Sequence, residues 1–164
     1  MIDYVRMRTV IFSGLSAYIG APVIRGDQAA EAPHYPYMIC NATTLASENR
    51  GTWQQHEDGI DRKLVRSIWS FTSLSDDYDE SVSNAVKARE WLDHTGHVYL
   101  SDNGITVQSM TAINNRDNVL TVDYERKNGF DVVFYVYDEA GNPANSTDTG
   151  YIDSAEFVRQ ETDE

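Results

Sequence analysis

The spacing of apolar residues changes along this chain, and that change limits the possible folds more than any other feature of the sequence. Between residues 3 and 19, apolar side chains recur every three or four positions, which predicts a helix with one buried face. Gly20 and Pro22 are expected to end this helix. Residues 63–74 are instead mainly β-branched and aromatic, which predicts a strand with apolar side chains on both faces. A second helix is predicted over residues 75–93.

The remaining patterns are typical of short antiparallel strands. Residues 120–125 alternate between apolar and polar side chains, as expected for a half-buried strand. Asn128-Gly129 tolerates the positive φ angles of a hairpin turn, so residues 130–137 are predicted to return as the next strand. Further strands are predicted over residues 37–45, 98–100 and 105–113. This order predicts an α+β fold with a mostly antiparallel sheet and two helices packed on one face.

The length of 164 residues favours a single domain, which is predicted to cover residues 1–137. Residues 138–164 contain eight acidic residues and a single basic one, Arg159, and Gly, Asn and Pro interrupt any regular pattern. This segment is therefore predicted to be an acidic extended arm or a disordered tail. Tyr151 and Phe157 are its candidate anchors on a partner.

The formal net charge of −13 limits the possible partners. Nucleic acids and anionic membranes repel a polyanion, so nonspecific binding to either is disfavoured. The sequence has no signal-peptide pattern and no run of about 20 apolar residues, which crossing a membrane would need. We therefore expect synthesis in the cytoplasm and no membrane partner.

No known catalytic, cofactor or metal motif is present in the sequence. Cys40, the only cysteine, lies in an apolar run and is interpreted as a core residue rather than a nucleophile. Asp93, His94 and His97 lie close together, but surface residues of a turn explain them more simply than a metal site does. Favourable charge at the start of a helix explains the acidic run 76–80 better than cation binding. We therefore predict no enzyme, no cofactor and no metal, with a small metal-dependent hydrolase as the remote alternative.

Aromatic residues supply the first candidate interface positions. Trp53 lies in a long polar loop predicted over residues 46–61, where an exposed tryptophan would anchor a subunit contact. Trp69 and Trp91 are explained equally well as core residues and as such anchors.

Four short runs of sequence occur in a distinctive order and spacing. They are residues 68–77, an acidic helix that contains Ala85 and Ala88, residues 100–105 and residues 124–132. Together these runs resemble the neck and tail terminator proteins of tailed bacteriophages. The most specific part is the pattern Arg-x-x-Gly-Phe-Asp-Val over residues 126–132. The resemblance covers residues 1–137, and the acidic segment that follows lies outside it.

The resemblance implies small subunits that close into a ring, expected to be hexameric, at the head-proximal end of the tail tube. The ring would end tube polymerisation and provide the docking surface for the head connector, while DNA passes through its hole without specific binding. The implied partners are other copies of the chain, the tail tube protein, the head-completion or connector protein and, if the tail is contractile, the sheath protein. The protein would be located in the virion tail or neck after assembly in the host bacterial cytoplasm.

A ring of this kind uses heterologous contacts, in which one surface meets a different surface on the neighbour. Arg126, Phe130 and Asp131 are candidate interface or conformation-setting residues, and Arg126 and Asp131 are placed to pair across the predicted hairpin turn. The acidity is explained either by a lumen that repels DNA or by solubility before assembly. The alternative function is another head-tail connector, a head-completion protein or a tail-tube-like virion protein, the last of which would form long stacks.

Overall fold

The computed structural model of the chain describes residues 1–27, 31–47, 52–56, 58–117 and 125–141. These residues confirm the α+β fold and its mostly antiparallel sheet, with three α-helices where two were predicted. In chain order the elements are α1 (Tyr4–Ile19), β1 (Val23–Arg25), β2 (Tyr37–Ser47), β3 (Ile60–Ser75), α2 (Tyr78–Glu90), a π-helical turn (Trp91–Thr95), α3 (His97–Asp102), β4 (Ile105–Met110), β5 (Asn114–Asn115) and β6 (Arg126–Gly141).

Helix α1 begins and ends where the sequence predicts. The Asp3 side chain caps its first turn by accepting a 2.9 Å hydrogen bond from the backbone N–H of Arg6. At the other end Gly20 adopts a φ of 74°, and its N–H donates a 3.0 Å hydrogen bond to the carbonyl of Ser16. The buried face of the helix consists of Met7, Ile11, Leu15 and Ile19.

The strands form one sheet in the order β1-β2-β3-β6-β4, and β5 also pairs with β6. The β1–β2 pair is parallel and every other pair is antiparallel. Strands β3 and β6 pair along 16 residues each, from Ile60 opposite Gly141 to Ser75 opposite Arg126. At about 3.3 Å per residue this pair is roughly 50 Å long, and it places residues at two well-separated ends of the molecule.

The core lies between the helices and one face of this sheet, which we call the covered face. Phe71 of β3 stacks on Phe130 of β6 with ring centroids 5.6 Å apart, and Phe134 meets Phe71 and Trp69 edge-on. Cys40 is also buried, which confirms its interpretation as a core residue. Trp69 is buried too, so it is a core residue and not an exposed interface anchor.

Trp91 is likewise a core residue, held between two glycines. A Cβ atom on Gly14 of α1 would lie 2.5 Å from the Trp91 ring, and a Cβ on Gly96 would lie 2.4 Å from it. These glycines therefore allow the close approach of α1, the π-helical turn and α3 around one tryptophan.

The strand predicted over residues 98–100 is wrong, because these residues belong to α3. The chain stays helical after Gly96, whose N–H donates a 2.7 Å hydrogen bond to the carbonyl of Trp91. Leu100 packs into the core from this helix. Three residues are too few for a periodicity of two to be told from a single helical turn.

The hairpin turn predicted at Asn128-Gly129 is also wrong, because both residues lie inside strand β6. Asn128 is buried, and its side-chain amide donates a 3.1 Å hydrogen bond to the hydroxyl of Ser81 in α2. Ser81 in turn donates a 3.1 Å hydrogen bond to the carbonyl of Ser73 in β3. Tertiary contacts thus override the local preference of Asn128-Gly129 for a turn. Most of residues 120–125, which were predicted as the other strand of this hairpin, lie outside the described residues.

Strand β6 continues four residues past the predicted domain boundary at residue 137. Strand β3 begins at Ile60, inside the loop predicted over residues 46–61, because these two strand ends pair with each other. Residues 142–164, most of the predicted arm, lie outside the described residues. The division into a domain and an acidic arm stays a prediction.

Candidate interaction surface

The second face of the β3–β6 pair has no helix packed on it among the described residues, and we call it the open face. Leu64 of β3 lies directly opposite Tyr137 of β6, and the two residues are 41% and 52% exposed. Tyr135, two residues earlier on β6, lies on the same face and is half-buried. Together with Thr106 of β4 these residues line a shallow cleft of about 290 Å³.

We call Leu64, Tyr135 and Tyr137 the open-face patch. Large apolar side chains that stay exposed on a paired strand are typical of binding surfaces when they lie together. The sequence predicts a strand with apolar residues on both faces here, but it does not show which face the helices cover. The open-face patch was therefore missed in the sequence, although the alternation of residues along β3 would have placed Leu64 opposite the core positions.

At the other end of the open face, the side chain of Arg116 crosses two strands. Its guanidinium donates hydrogen bonds of 2.6 Å to Ser70 Oγ and 2.9 Å to Thr72 Oγ1 of β3. It also forms a 2.9 Å ion pair with Asp131 of β6. The sequence gives no indication of this role for Arg116, because the residue follows β5 in a polar run that carries no strand signal.

The environment of Asp131 lowers the pKa of its carboxyl group. Partial burial by itself raises this pKa, but hydrogen bonds from Ser70 and Arg116 and the charge of Arg116 outweigh that effect. Asp131 therefore stays ionised and holds the guanidinium across the strands.

Gly129 makes room for this arrangement. A Cβ atom at this position would lie 2.4 Å from the carbonyl oxygen of Phe71 and 3.0 Å from Cδ of Arg116. The Gly-Phe-Asp part of the recognised pattern therefore has three separate roles in one strand. Gly129 admits the Arg116 side chain, Phe130 fills the core, and Asp131 binds the guanidinium.

The predicted ion pair between Arg126 and Asp131 is wrong. Arg126 instead binds Asp117 at 3.2 Å, and Asp117 also accepts a 2.6 Å hydrogen bond from the backbone N–H of Lys127. Because β6 does not turn at this point, residues 126 and 131 are about 17 Å apart along one strand, at about 3.3 Å per residue. Each finds its partner in residues 116 and 117 instead.

The predicted interface residues occupy very different positions. Trp53 is 40% exposed and lies next to Gln54, which bridges to Arg62 at the start of β3. Arg126 and Asp131 are partly exposed, whereas Phe130 has no exposed surface in the protomer. Tyr151 and Phe157 lie outside the described residues. Their roles in a subunit contact stay predictions.

Ion pairs stabilise the end of the β3–β6 pair that carries the open-face patch. Arg62 binds Asp58 at 2.8 Å and Glu139 at 2.9 Å. The amino terminus of Met1 lies 3.3 Å from the carboxylate of Asp138 and also donates a hydrogen bond to the carbonyl of Glu139. The start of α1 and the end of β6 are therefore neighbours.

The acidic run 76–80 lies at the start of α2, as predicted. Asp77 is the N-cap residue and accepts a 2.8 Å hydrogen bond from the backbone N–H of Glu80.

His94 lies in the π-helical turn and His97 begins α3, and both are exposed. No group of three or more His, Cys, Asp or Glu side chains is placed to hold a metal ion within the described ranges. No described helix has the length and apolar character needed to cross a membrane.

Comparisons with known proteins identify the family. The family model of phage neck terminator proteins matches residues 9–163, so it includes the acidic segment that the sequence resemblance had left out. No curated protein matches the chain. One solved structure without a descriptive name is 13% identical, with a TM-score of 0.44 over 83% of this chain and 96% of that chain, which is too distant to carry an argument. Because the family match spans nearly the whole sequence, this chain belongs to the phage neck terminator protein family and has a structural role in the neck of the virion.

Proposed function

We propose that this chain forms a closed ring, expected to be a hexamer, at the head-proximal end of the phage tail tube. The ring ends polymerisation of the tube and presents a docking surface to the head-completion or connector protein. Its partners are other copies of the chain, the tail tube protein and, in a contractile tail, the sheath protein. Assembly takes place in the host cytoplasm, and the protein has no catalytic role.

The observation that carries this proposal is the open-face patch on a sheet whose other face is covered. A protomer with Leu64 and Tyr137 exposed opposite each other buries these side chains only when a second surface covers them. In a cyclic oligomer that second surface is a different part of the neighbouring copy, because the contacts are heterologous. The family match supports the same placement in the neck.

Charge supports the passage of DNA through the ring. Each copy carries a formal net charge of −13, so a closed ring has a strongly negative field around its hole. A phosphate backbone gains no counterion release from such a surface and slides through without binding. Solubility before assembly remains the simpler effect of the same charge.

The test measures the mass of the full chain by light scattering over a wide concentration range, with negative-stain images of the same samples. Six-fold rings that never lengthen support the proposal. Long tubes favour a tube-like protein instead. A monomer at every concentration, even after tail tubes are added, overturns the ring.

A pair of variants then tests the open-face patch. The double substitution Leu64→Ser with Tyr137→Ser should raise the concentration needed for assembly at least roughly tenfold, since the loss of one central aromatic anchor costs about 2 kcal/mol. Tyr78→Ser is the matched control, because Tyr78 is 48% exposed at the start of α2, near the opposite end of β3. Equal effects of both changes would show that the patch is not the interface.

A further inference from the structure

A second surface lies on the covered side of the sheet, in a cleft of about 350 Å³ between α1 and β2. We call it the α1–β2 cleft. Tyr4 and Arg8 of α1 line one side, and Arg25 of β1 lines its rim. Its floor includes Cys40 and Trp69, both almost fully buried. The volume falls within the range of roughly 300–1,000 Å³ that is usual for binding pockets.

One edge of this cleft is a part of strand β2 that has no neighbouring strand on that side among the described residues, although the Tyr4 hydroxyl donates a hydrogen bond to the carbonyl of Leu45 there. Strand β1 ends at Arg25 opposite Cys40, whereas β2 continues to Ser47. The backbone N–H of Met38 points toward β1 and donates a hydrogen bond to the carbonyl of Pro22. Backbone groups of successive strand residues point to alternate sides, so every second residue after Met38 points the same way. Ala42 therefore directs its N–H and C=O away from β3, to a side where no strand lies among the described residues. Such an edge can pair with an added strand.

The rim of the cleft has an excess of positive charge in a strongly acidic protein. Arg8 and Arg25 line it together with one carboxylate, that of Asp27, which is paired with Arg25. Helix α1 carries two arginines and no acidic residue. An acidic segment with apolar anchors would therefore match both the rim and the floor.

The chain itself contains a segment of this composition. Residues 142–164 carry six acidic residues and one basic residue, together with Tyr151 and Phe157. This segment follows Gly141, the last residue of β6. Burial and, to a smaller extent, the negative charge of Asp138 raise the pKa of the Tyr4 hydroxyl, so Asp138 of β6 lies near Tyr4 of α1. A segment of 23 residues reaches up to about 75 Å when extended, at about 3.3 Å per residue. This reach is sufficient, because Gly141 lies opposite Ile60, nine residues along β3 from Trp69, or about 30 Å.

We propose that residues 142–164 of each chain dock in the α1–β2 cleft of the same chain. The segment adds a strand beside Ala42, an aromatic side chain enters above Trp69, and its carboxylates lie near Arg8. Occupation by the same chain is favoured over a neighbouring copy because the segment is continuous with β6 and is long enough to reach the cleft from Gly141, and such a tether gives an effective concentration of about millimolar. This inference concerns the isolated protomer and does not depend on ring formation.

The test is hydrogen exchange of the Ala42 amide in the full chain, at concentrations where light scattering shows only monomer. The double variant Tyr151→Ser with Phe157→Ser should exchange this amide at least roughly tenfold faster than the unchanged protein, because docking suppresses local opening. Arg8→Glu should accelerate exchange in the same direction through repulsion of the acidic segment. Arg6→Glu is the matched control, since Arg6 lies on the same helix but lines a different cleft, on the side of β4 and β6.

Each other outcome overturns the proposal. Equal exchange of Ala42 in the unchanged protein and in the aromatic double variant would show that the segment does not cover this edge. Equal acceleration by Arg6→Glu and Arg8→Glu would show an effect of helix charge alone. Protection that increases with protein concentration, in step with the oligomer mass, would place the segment in the cleft of a neighbouring copy.

Discussion

The two faces of the β3–β6 strand pair are stabilised in different ways, although they share the same backbone. Phe130 and Asp131 are adjacent residues, yet Phe130 is fully buried against Phe71 while Asp131 is paired with Arg116 on the open face. The covered face is held by packing of apolar side chains under the helices. The open face has ion pairs at both ends, and at one of these ends it also has exposed apolar side chains.

This difference separates the residues that maintain the fold from those available to partners. Apolar burial contributes most where water is excluded, so the covered face has little freedom to change. A partly exposed ion pair contributes little by comparison. The open-face patch contributes little to the stability of the protomer, which leaves it available for the proposed contact with another subunit. Substitutions at neighbouring positions of β6 test this contrast.

The largest effect is expected from Phe130→Ala. Removal of a fully buried ring leaves a cavity beside Phe71 and should lower the free energy of unfolding by about 3–5 kcal/mol. Urea denaturation measures the change, and Phe130→Leu should cost clearly less because it retains part of the volume. Tyr137→Ser, on the open face of the same strand, should stay within about 0.5 kcal/mol of the unchanged protein. Similar losses for Phe130→Ala and Tyr137→Ser would contradict the contrast between the faces.

An intermediate effect is expected from Gly129→Ala. The added Cβ would lie 2.4 Å from the Phe71 carbonyl, so the strands must separate locally, at a cost of about 1–3 kcal/mol. Gly141→Ala is the matched control on the same strand, because nothing lies within 4 Å of a Cβ added there. Urea denaturation of both variants measures the difference. A Gly129→Ala protein as stable as the control would mean that Arg116 does not need this space.

The smallest effect is expected from Asp131→Asn, at most about 1 kcal/mol at pH 7, because the ion pair with Arg116 is partly exposed. The pKa of Asp131 is lowered in the folded protein, so its ionised form contributes stability above the unfolded pKa of about 3.9, and that contribution is lost as the pH falls through the lower folded value. The difference in unfolding free energy between the two proteins should therefore shrink below about pH 4.

A double-mutant cycle with Arg116→Gln isolates this pair from other effects of acid. The coupling energy should be favourable at neutral pH and disappear in acid. A coupling that is the same at both pH values would show that charge on Asp131 does not hold Arg116.

Elements with a long, regular pattern were predicted well from the sequence. Helix α1 matches because its apolar spacing, its N-cap Asp3 and its terminal Gly20 all agree. Strand β3 matches because β-branched and aromatic residues run through it. The errors occur where a short local signal competes with distant contacts. Asn128-Gly129 has the composition of a turn, but both residues pair with strand β3, and Ser81 accepts a hydrogen bond from the Asn128 side chain, so they stay within a strand.

The candidate surface was predicted only in part. The pattern Arg-x-x-Gly-Phe-Asp-Val was taken as the most specific part of the resemblance, but the roles of its residues in the structure differ from the predicted turn and ion pair. The open-face patch and Arg116 were missed, because a sequence pattern does not show which face of a strand the helices cover or which strand lies beside it.

The sequence by itself determined the fold class, the first helix, the longest strand of the first half, the burial of Cys40 and the family, because each of these depends on residue type and spacing along the chain. The tertiary structure alone decided that β6 runs through Asn128 and Gly129, that Arg116 and not Arg126 binds Asp131, and that Leu64 and Tyr137 face outward together. These features depend on contacts between residues far apart in sequence, and such contacts form only when the sheet and the helices pack together.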